Sequence, residues 1–204
     1  MNLDVSGIKE NSREWWSKRY DSNAGFLYSK EPSQFLMSYL DLLPTGAKIL
    51  EIACGEGRNL VALSLKGFQV TGIDFCQTAL DRAQKLADES KVKVGLKLQD
   101  LDFFIPELLS FDAIVSVNFK PALTLMKNLS RGLKQGGHLF LEAPLMALAK
   151  RDKSVEAFEC FKPNELLTSL NPQAMQLQVL MYSELNPESW GERATMICRK
   201  TQLF

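Results

Sequence analysis

The sequence predicts an α/β protein: a mostly parallel seven-stranded sheet with helices on both faces and an antiparallel hairpin near the C-terminal end. Two observations lead to this prediction. Between residues 47 and 142, apolar runs that favour strands alternate with segments whose apolar residues recur at helical spacing. Beyond residue 175, two further strand-like segments flank the turn-forming stretch 186–189.

The individual elements follow from local patterns. Gly67 separates a predicted helix from the strand that follows it, and residues 135–137 end a later helix. Strict alternation with lysines over 92–98 predicts a half-exposed strand at a sheet edge. Strands are predicted at 47–53, 68–73, 92–98, 111–117, 138–142, 176–182 and 193–199, and helices at 32–43, 57–66, 78–87, 123–133 and 163–170, whereas 145–162 has no clear period.

Composition excludes several classes of protein. Lysine plus arginine equals aspartate plus glutamate, 24 each, so no basic field favours nucleic acid. No apolar stretch approaches the ~20 residues that span a bilayer, and the charged N-terminus lacks the apolar region of a signal peptide. The four cysteines are far apart in sequence, which favours reduced thiols over disulfides or a zinc site. We therefore expect a cytoplasmic protein without a metal.

A glycine-containing loop is the most informative motif. Residues 51–59 (Glu-Ile-Ala-Cys-Gly-Glu-Gly-Arg-Asn) follow the first predicted strand, and the acid Asp74 ends the second strand. Leu60 stands where a dinucleotide fingerprint needs its third glycine, and no Gly-Lys-Ser/Thr follows, so neither that fingerprint nor a P-loop is present. A strand-to-helix turn without a ligand is the alternative, but a second acid, Asp100, after the third strand makes it weaker.

The loop, its distant acid and several outer segments resemble class I S-adenosylmethionine-dependent methyltransferases, a Rossmann-like family. Within that family the chain is most similar to the tellurite-resistance/thiopurine-type small-molecule enzymes. The matching segments are Trp16-Ser17-Lys18-Arg19-Tyr20, Cys54-Gly55-Glu56-Gly57-Arg58-Asn59, Gly72-Ile73-Asp74, Gln99-Asp100-Leu101, 111–116, 133–137 and 193–200. The resemblance implies one methyltransferase domain over 1–204, with N-terminal cap helices in 1–45, a cofactor-binding core in 46–143, and a substrate-side connection with the C-terminal strands in 144–204.

The resemblance also implies roles for individual residues. The cofactor would be S-adenosylmethionine, and its product S-adenosylhomocysteine. Asp74 would bind the ribose hydroxyls, Asp100 would accept from the adenine amine, and Arg19 would pair with the cofactor carboxylate. The complete predicted cofactor site is Arg19, Tyr20, Glu51, Ala53, Gly55, Gly57, Asn59, Asp74, Phe75, Asp100, Leu101, Val117 and Asn118. Asn118 departs from the apolar or aromatic residue expected at its position, and Glu51 is equally well explained as a buried acid bonded to the loop.

The expected reaction is methyl transfer from the sulfonium to a small molecule, in a monomer or homodimer that binds no membrane. The only histidine, His138, is interpreted as structural, and no catalytic base is assigned. This scarcity of bases favours a soft or ionised acceptor such as a thiol, selenium or tellurium species, although a carboxylate or tyrosine can also act as a base. Arg193 is the candidate for contacting an anionic acceptor. The alternatives are a protein or RNA methyltransferase and a non-catalytic S-adenosylmethionine-binding protein.

Overall fold

The described residues form one seven-stranded sheet. The structure, a computed structural model, describes residues 10–23, 25–152, 155–172, 174–185 and 191–201. The strands lie in the order β3-β2-β1-β4-β5-β7-β6. Their bounds are β1 Lys48–Ile52, β2 Gln69–Asp74, β3 Gly95–Leu98, β4 Phe111–Val117, β5 Leu133–Pro144, β6 Leu177–Ser183 and β7 Arg193–Lys200.

Strand directions confirm the predicted fold class. Strands β1 to β5 pair in parallel, whereas β7 pairs antiparallel with both β5 and β6. The strand order reverses between β1 and β4, where their loops leave the sheet in opposite directions. Ligands bind at such a reversal, beyond the carboxyl ends of the strands.

Helices cover both faces of the sheet. Their bounds are α1 Arg13–Asp21, α2 Gln34–Ser38, α3 Arg58–Leu65, α4 Gln77–Glu89, α5 Leu123–Gly132, α6 Met146–Arg151 and α7 Glu165–Ser169. Alternate residues of a strand point to opposite faces. Accordingly Leu50 packs in the apolar cluster that contains Leu129 of α5, whereas Ile49 packs in the cluster that contains Leu60 of α3.

Local differences from the predicted elements have physical reasons. The predicted helix 32–43 is divided into α2 and a 3₁₀ helix, Leu40–Leu42. Pro32 lies outside α2, because the Ser33 hydroxyl accepts from the amide of Leu36 and caps that helix. Leu133 leaves α5 and begins β5, where it pairs with Phe111.

Two regions differ from what the sequence pattern predicted: the strand predicted over 92–98 is shorter, and the stretch 145–162 contains helices. The strand predicted over 92–98 is reduced to Gly95–Leu98, at the sheet edge as expected. The unpatterned stretch 145–162 contains α6 and the 3₁₀ helix Ala157–Glu159, which are too short to show helical periodicity. The predicted turn 186–189 lies outside the described residues. Within the described ranges, no helix has the length and apolar character that a membrane crossing requires.

Candidate active site

A cavity of about 360 Å³ opens at the carboxyl ends of β1, β2 and β4. The loop after β1 contributes Ala53, Cys54, Gly55 and Glu56, and the end of β2 contributes Asp74 and Phe75. The segments after β3 and β4 contribute Asp100, Leu101, Val117 and Asn118. Tyr20 of α1 completes this set. The fold therefore brings together nine of the residues predicted from the sequence: Tyr20, Ala53, Gly55, Asp74, Phe75, Asp100, Leu101, Val117 and Asn118.

Gly55 is the point where the loop backbone borders the cavity. Its φ of +52° lies in the left-handed region, which favours glycine. A Cβ at this position would lie 3.0 Å from the Tyr20 hydroxyl. The space between the loop after β1 and α1 therefore exists because Gly55 has no side chain.

The Asp74 carboxylate ties the loop after β1 to the turn after β2. Its Oδ2 accepts from the Gly55 amide at 2.9 Å, and its Oδ1 accepts from the Cys76 amide at 2.9 Å. Burial raises the pKa of Asp74, and the hydrogen bonds from Cys76 and Gly55 partly oppose that rise. Each carboxylate oxygen retains a second acceptor position, so Asp74 can also bind hydroxyls of a ligand.

Gly57 has a different position from Gly55. It is buried, has a φ of +77°, and lies outside the residues that line the cavity. A Cβ there would lie 2.8 Å from Cβ of Ala83 in α4. Gly57 therefore permits close packing of the loop against α4 rather than bordering the cavity.

Glu51 and Asn59 lie beneath the loop. Asn59 donates to Glu51 Oε1 at 2.7 Å and accepts from the Ser33 amide at 2.8 Å. Burial raises the pKa of Glu51 to about 7, although the Asn59 hydrogen bond and Arg58 oppose the rise. Glu51 Oε2 is buried and has no hydrogen-bond partner among the described residues. An orphaned buried oxygen of this kind is suited to a ligand donor or an ordered water.

Asp100 and its neighbours form the outer part of the cavity. Asp100 Oδ1 accepts from the Asp102 amide at 3.0 Å, and Oδ2 lies 3.7 Å from an Arg13 guanidinium nitrogen. Phe75 and Leu101 add apolar surface beside it. This part combines a carboxylate acceptor with apolar surface, a combination that suits a purine.

The N-terminal helix places Tyr20 in the cavity and Arg19 behind it. Burial, with a smaller contribution from Asp74, raises the pKa of Tyr20. The Arg19 guanidinium lies 4.9 Å from the centroid of the Trp15 ring and 5.3 Å from that of Trp16. Its Nη1 lies 3.4 Å from Glu156 Oε1. Arg19 is thus outside the cavity lining and joins α1 to the segment before the 3₁₀ helix Ala157–Glu159.

Arg193 fixes the side chain of Asn118. Arg193 Nη1 donates to Asn118 Oδ1, and Arg193 Nε lies 3.3 Å from Glu142 Oε1. Glu142 also accepts a hydrogen bond from Ser33 Oγ. Because a guanidinium only donates, Asn118 must turn its oxygen to Arg193 and its amino group away from it. Arg193 itself is outside the cavity lining.

His138 lies on β5 opposite Arg199 of β7, outside the residues that line the cavity. Burial lowers its pKa, and the nearby positive charge of Arg199 adds to that effect. This placement agrees with a structural role. Among the described residues, no group of three or more histidine, cysteine or acidic side chains is arranged to hold a metal ion.

Further residues line the cavity outside the predicted cofactor site. Many come from the N-terminal segment, from the turn after β4 and from the connection between β5 and β6. Tyr28, Phe158 and Glu159 are central among them, because the Tyr28 hydroxyl donates to Glu159 Oε1 at 3.2 Å. The available signal was the capping pair Glu156 and Glu159, three residues apart. The full set of lining residues outside the predicted cofactor site is Asn11, Ser12, Arg13, Trp16, Phe26, Tyr28, Ser29, Cys54, Glu56, Arg58, Asp102, Phe119, Lys120, Phe158 and Glu159.

Comparisons with known proteins identify the class to which this fold and cavity correspond. Residues 49–137 match the family model described as "Methyltransferase domain". Two curated relatives are named "Ubiquinone biosynthesis O-methyltransferase". The one from Coxiella burnetii is 22% identical over 147 residues, which cover 69% of this chain and 62% of the relative. The one from Xanthomonas campestris is 26% identical over 208 residues, which cover 92% of this chain and 85% of the relative.

Solved structures share the fold. A SAM-dependent methyltransferase from Aquifex aeolicus has a TM-score of 0.67 at 17% identity, covering 82% of this chain and 90% of that one. TehB from Haemophilus influenzae has a TM-score of 0.63 at 21% identity, covering 93% of this chain and 67% of that one. Residues 49–137 therefore match a methyltransferase domain, and S-adenosylmethionine is the cofactor that this match and the shared fold indicate.

The residues present fit that cofactor. Gly55 leaves room that a Cβ would fill, Asp74 has spare acceptor positions beside it, and Glu51 Oε2 is a buried acceptor without a described partner. Asp100, Phe75 and Leu101 line the same cavity. Asp74 and Asp100 supply acceptors for sugar hydroxyls and for an exocyclic amine, whereas Glu51 and Asn59, like Gly57 and Arg19, lie outside the cavity lining.

Proposed function

We propose that the protein transfers the methyl group of S-adenosylmethionine to a small molecule. The observation that carries this proposal is that two separate parts of the chain line one cavity. One part, called here the cofactor wall, holds Gly55, Asp74 and Asp100 at the strand ends. The other part, called here the acceptor wall, holds Phe158 and Glu159, which the cofactor roles leave unused. A donor and an acceptor can therefore lie side by side, out of bulk water.

The wall at the strand ends is assigned to the cofactor. Asp74 binds the ribose hydroxyls, and Asp100 accepts from the adenine amine. Phe75 and Leu101 enclose the ring. Gly55 lets the backbone approach the methionine part. Ala53, Val117 and Asn118 line the methionine end of the cofactor, and Tyr20 covers it. Glu51 binds the amino group of the methionine part. Asn59, Gly57 and Arg19 hold the loop and α1 in place.

The cofactor supplies a methyl group that its positive sulfur has already activated. The protein's own residues then hold the acceptor in line and exclude water. Asn118 is suited to holding the acceptor or the methionine end, because Arg193 directs its amino group as a donor. Arg193 thus acts through Asn118, and direct contact between Arg193 and an anionic acceptor remains a prediction.

The acceptor is proposed to be a small molecule with an oxygen or a softer nucleophile. The curated relatives named O-methyltransferases support a hydroxyl acceptor. The sequence resemblance to tellurite-resistance/thiopurine-type enzymes supports a thiol, selenium or tellurium species. A balanced net charge, 24 basic and 24 acidic residues, gives no support to RNA. A cytoplasmic monomer or homodimer remains the prediction for location and assembly.

Calorimetry with S-adenosylmethionine, S-adenosylhomocysteine and NAD tests the cofactor part. Asp74→Ala should weaken both sulfur ligands by roughly 10- to 150-fold for each hydrogen bond that is lost, since a hydrogen bond to a charged group contributes about 1.5–3 kcal/mol. Asp74→Asn removes the charge and retains an acceptor oxygen for only one of the two backbone amides, those of Gly55 and Cys76. Asp112→Ala is the matched control, because this aspartate also binds a backbone amide, that of Lys48, at the opposite end of the sheet.

Two results would contradict the proposal: NAD binding as tight as that of S-adenosylmethionine, or unchanged affinity in both Asp74 variants. A protein that binds the cofactor yet releases no S-adenosylhomocysteine with any phenol, thiol or metalloid oxyanion would instead be a non-catalytic binder. Filter binding at moderate salt tests RNA directly, because phosphate binding weakens steeply with added salt.

A further inference from the structure

Glu159 is the acidic side chain of the acceptor wall of the cavity. It lies on the 3₁₀ helix Ala157–Glu159, is 8% exposed, and lines the cavity beside Phe158. A buried carboxylate bordering a cavity is costly unless it is paired or used. The contacts of Glu159 within the chain therefore decide which role it can have.

Two donors hold the Glu159 carboxylate, one on each oxygen. The Tyr28 hydroxyl donates to Oε1 at 3.2 Å, and the Glu156 amide donates to Oε2 at 3.1 Å. The 3₁₀ helix Ala157–Glu159 is also held against α1, because the Phe158 ring packs on the Trp15 ring with 5.6 Å between centroids. Each carboxylate oxygen accepts one hydrogen bond and keeps a further position for a proton. Glu159 is thus oriented but not saturated.

The environment suits Glu159 to accepting a proton. Burial raises its pKa, and the Glu156 amide, Arg19 and Tyr28 oppose part of the rise. A carboxylate whose pKa moves towards neutrality is a better general base while it stays ionised at pH 7. Burial and the charge of Glu159 raise the pKa of Tyr28, so that hydroxyl remains protonated and continues to donate.

The other acidic groups at this edge are engaged elsewhere. Asp74 accepts from two backbone amides on the cofactor side. Glu56 accepts from the Leu27 amide and from Arg82. Glu165 lies 2.7 Å from Lys120 and outside the cavity lining. Asp100 accepts from the Asp102 amide and lies 3.7 Å from Arg13, and the Asp102 side chain is exposed. Among the buried acids that line the cavity, Glu159 is therefore the one best placed to receive a proton from an acceptor.

The surrounding surface indicates an aromatic acceptor that develops negative charge. Phe119, Phe158 and the Tyr28 ring supply flat apolar surface. The Arg58 guanidinium also lines the cavity, and a positive charge there favours an oxyanion over an ammonium group. A phenolic or catecholic hydroxyl meets all three conditions, because it is planar, carries a removable proton and becomes an oxyanion.

We propose that Glu159 is the general base for methylation of a small aromatic hydroxyl compound, with Tyr28 as its positioning residue. This rests on the methyl transfer proposed above. The acceptor oxygen forms a bond to the methyl carbon while the carbon–sulfur bond breaks and its electron pair returns to sulfur. The hydroxyl proton passes to a Glu159 carboxylate oxygen and then to water. The products are the methyl ether, S-adenosylhomocysteine and a proton.

A matched pair of acceptors tests the inference on Glu159→Gln. The weakly acidic probe 4-methylcatechol must lose its proton during the reaction, whereas 4-nitrocatechol is largely ionised at pH 8. General-base catalysis contributes roughly 10²–10⁴-fold, so kcat with 4-methylcatechol should fall by about 100-fold or more. The rate with 4-nitrocatechol should change less than about threefold. The variant rate with 4-methylcatechol should rise about tenfold per pH unit between pH 7 and 9, because only its ionised form then reacts.

Binding measurements separate this inference from the proposed function. S-adenosylmethionine affinity by calorimetry and 4-nitrocatechol affinity by difference absorbance should both be unchanged in Glu159→Gln. Tyr28→Phe should lower the 4-methylcatechol rate about tenfold, and Glu165→Gln is the control that should leave it unchanged. An equal loss of rate with both catechols in Glu159→Gln would indicate a structural role and overturn the inference.

Failure to methylate either catechol, with cofactor binding intact, would also overturn the inference and leave cofactor binding in place. Faster turnover of thiols or amines than of catechols would reject the aromatic hydroxyl class. Absence of S-adenosylmethionine binding in the unmodified protein would reject the proposed function itself.

Discussion

Gly57 allows the loop after β1 to pack against α4, so Gly57→Ala should destabilise the fold. The residue has a φ of +77°, and the added Cβ would lie 2.8 Å from the Ala83 Cβ. A left-handed conformation costs an alanine about 1–2 kcal/mol. Overpacking in a tight contact costs about 1–3 kcal/mol. The free energy of unfolding should therefore fall by about 2–5 kcal/mol.

Gly67→Ala is the matched control for the backbone part. Gly67 has a φ of +86°, and no heavy atom lies within 4 Å of its virtual Cβ. Its substitution should cost only the conformational part, about 1–2 kcal/mol. Denaturant unfolding monitored by far-UV circular dichroism measures both variants. The difference between the two costs then reports the contact with Ala83.

A double-mutant cycle tests the contact directly. Ala83→Gly alone should cost about 1 kcal/mol, because glycine is a poor helix former. Combined with Gly57→Ala it should recover about 1–3 kcal/mol of the steric cost. Equal costs for Gly57→Ala and Gly67→Ala, together with additive behaviour in the cycle, would refute the packing argument. Gly57 would then have to act through the ligand instead.

Two further variants test residues that support the site: Glu51 under the loop after β1, and Arg82 of α4. Burial raises the pKa of Glu51 to about 7, so the stability that its protonated form gives the fold is complete below the unfolded value near 4.5 and is lost as pH rises through 7. Glu51→Gln should therefore unfold at a higher denaturant concentration than the parent protein at pH 8 and at a similar one at pH 4. A difference that widens towards low pH would contradict this reasoning. Arg82 donates hydrogen bonds to the carbonyls of Tyr20, Asn23 and Gly25 and to the Glu56 carboxylate. Arg82→Lys loses the planar guanidinium that makes these bonds together. Amide hydrogen exchange should therefore become faster over 13–23 while β4 and β5 stay protected, and unchanged exchange over 13–23 would contradict this expectation.

The cofactor side of the site could be predicted from the sequence because its residues sit at strand ends. Period-two and period-3.6 patterns locate β1, β2 and β4, and a parallel sheet collects their carboxyl ends at one edge. Asp74 and Asn118 were therefore predicted for this edge of the sheet without knowledge of the fold, and both line the cavity. Gly57 shows the limit of this reasoning, since one glycine of the motif faces the cavity and the other faces Ala83. The choice depends on where α4 packs, which no local pattern encodes.

The roles of Tyr28 and Glu159 in the acceptor wall could not be predicted, for a different physical reason. Tyr28 has no regular secondary structure, and Glu159 lies in a three-residue 3₁₀ helix. Such segments are held by specific side-chain contacts rather than by a repeating backbone pattern. Arg19 illustrates this, because its charge indicated a ligand contact, whereas its guanidinium lies over two tryptophan rings and near Glu156.

The two walls also differ in how a substitution should affect them. The ends of β1, β2 and β4 are held by the ladder between these strands, so we expect Asp74 to be little affected by changes in the N-terminal and 156–159 segments. The acceptor wall depends on α1 and the 156–159 segment holding each other, through Arg19 with Glu156 and Trp15 with Phe158. Changes in those contacts move Glu159 and Tyr28 together while Asp74 stays in place. Acceptor preference can therefore change through residues that touch neither ligand, without loss of the cofactor site.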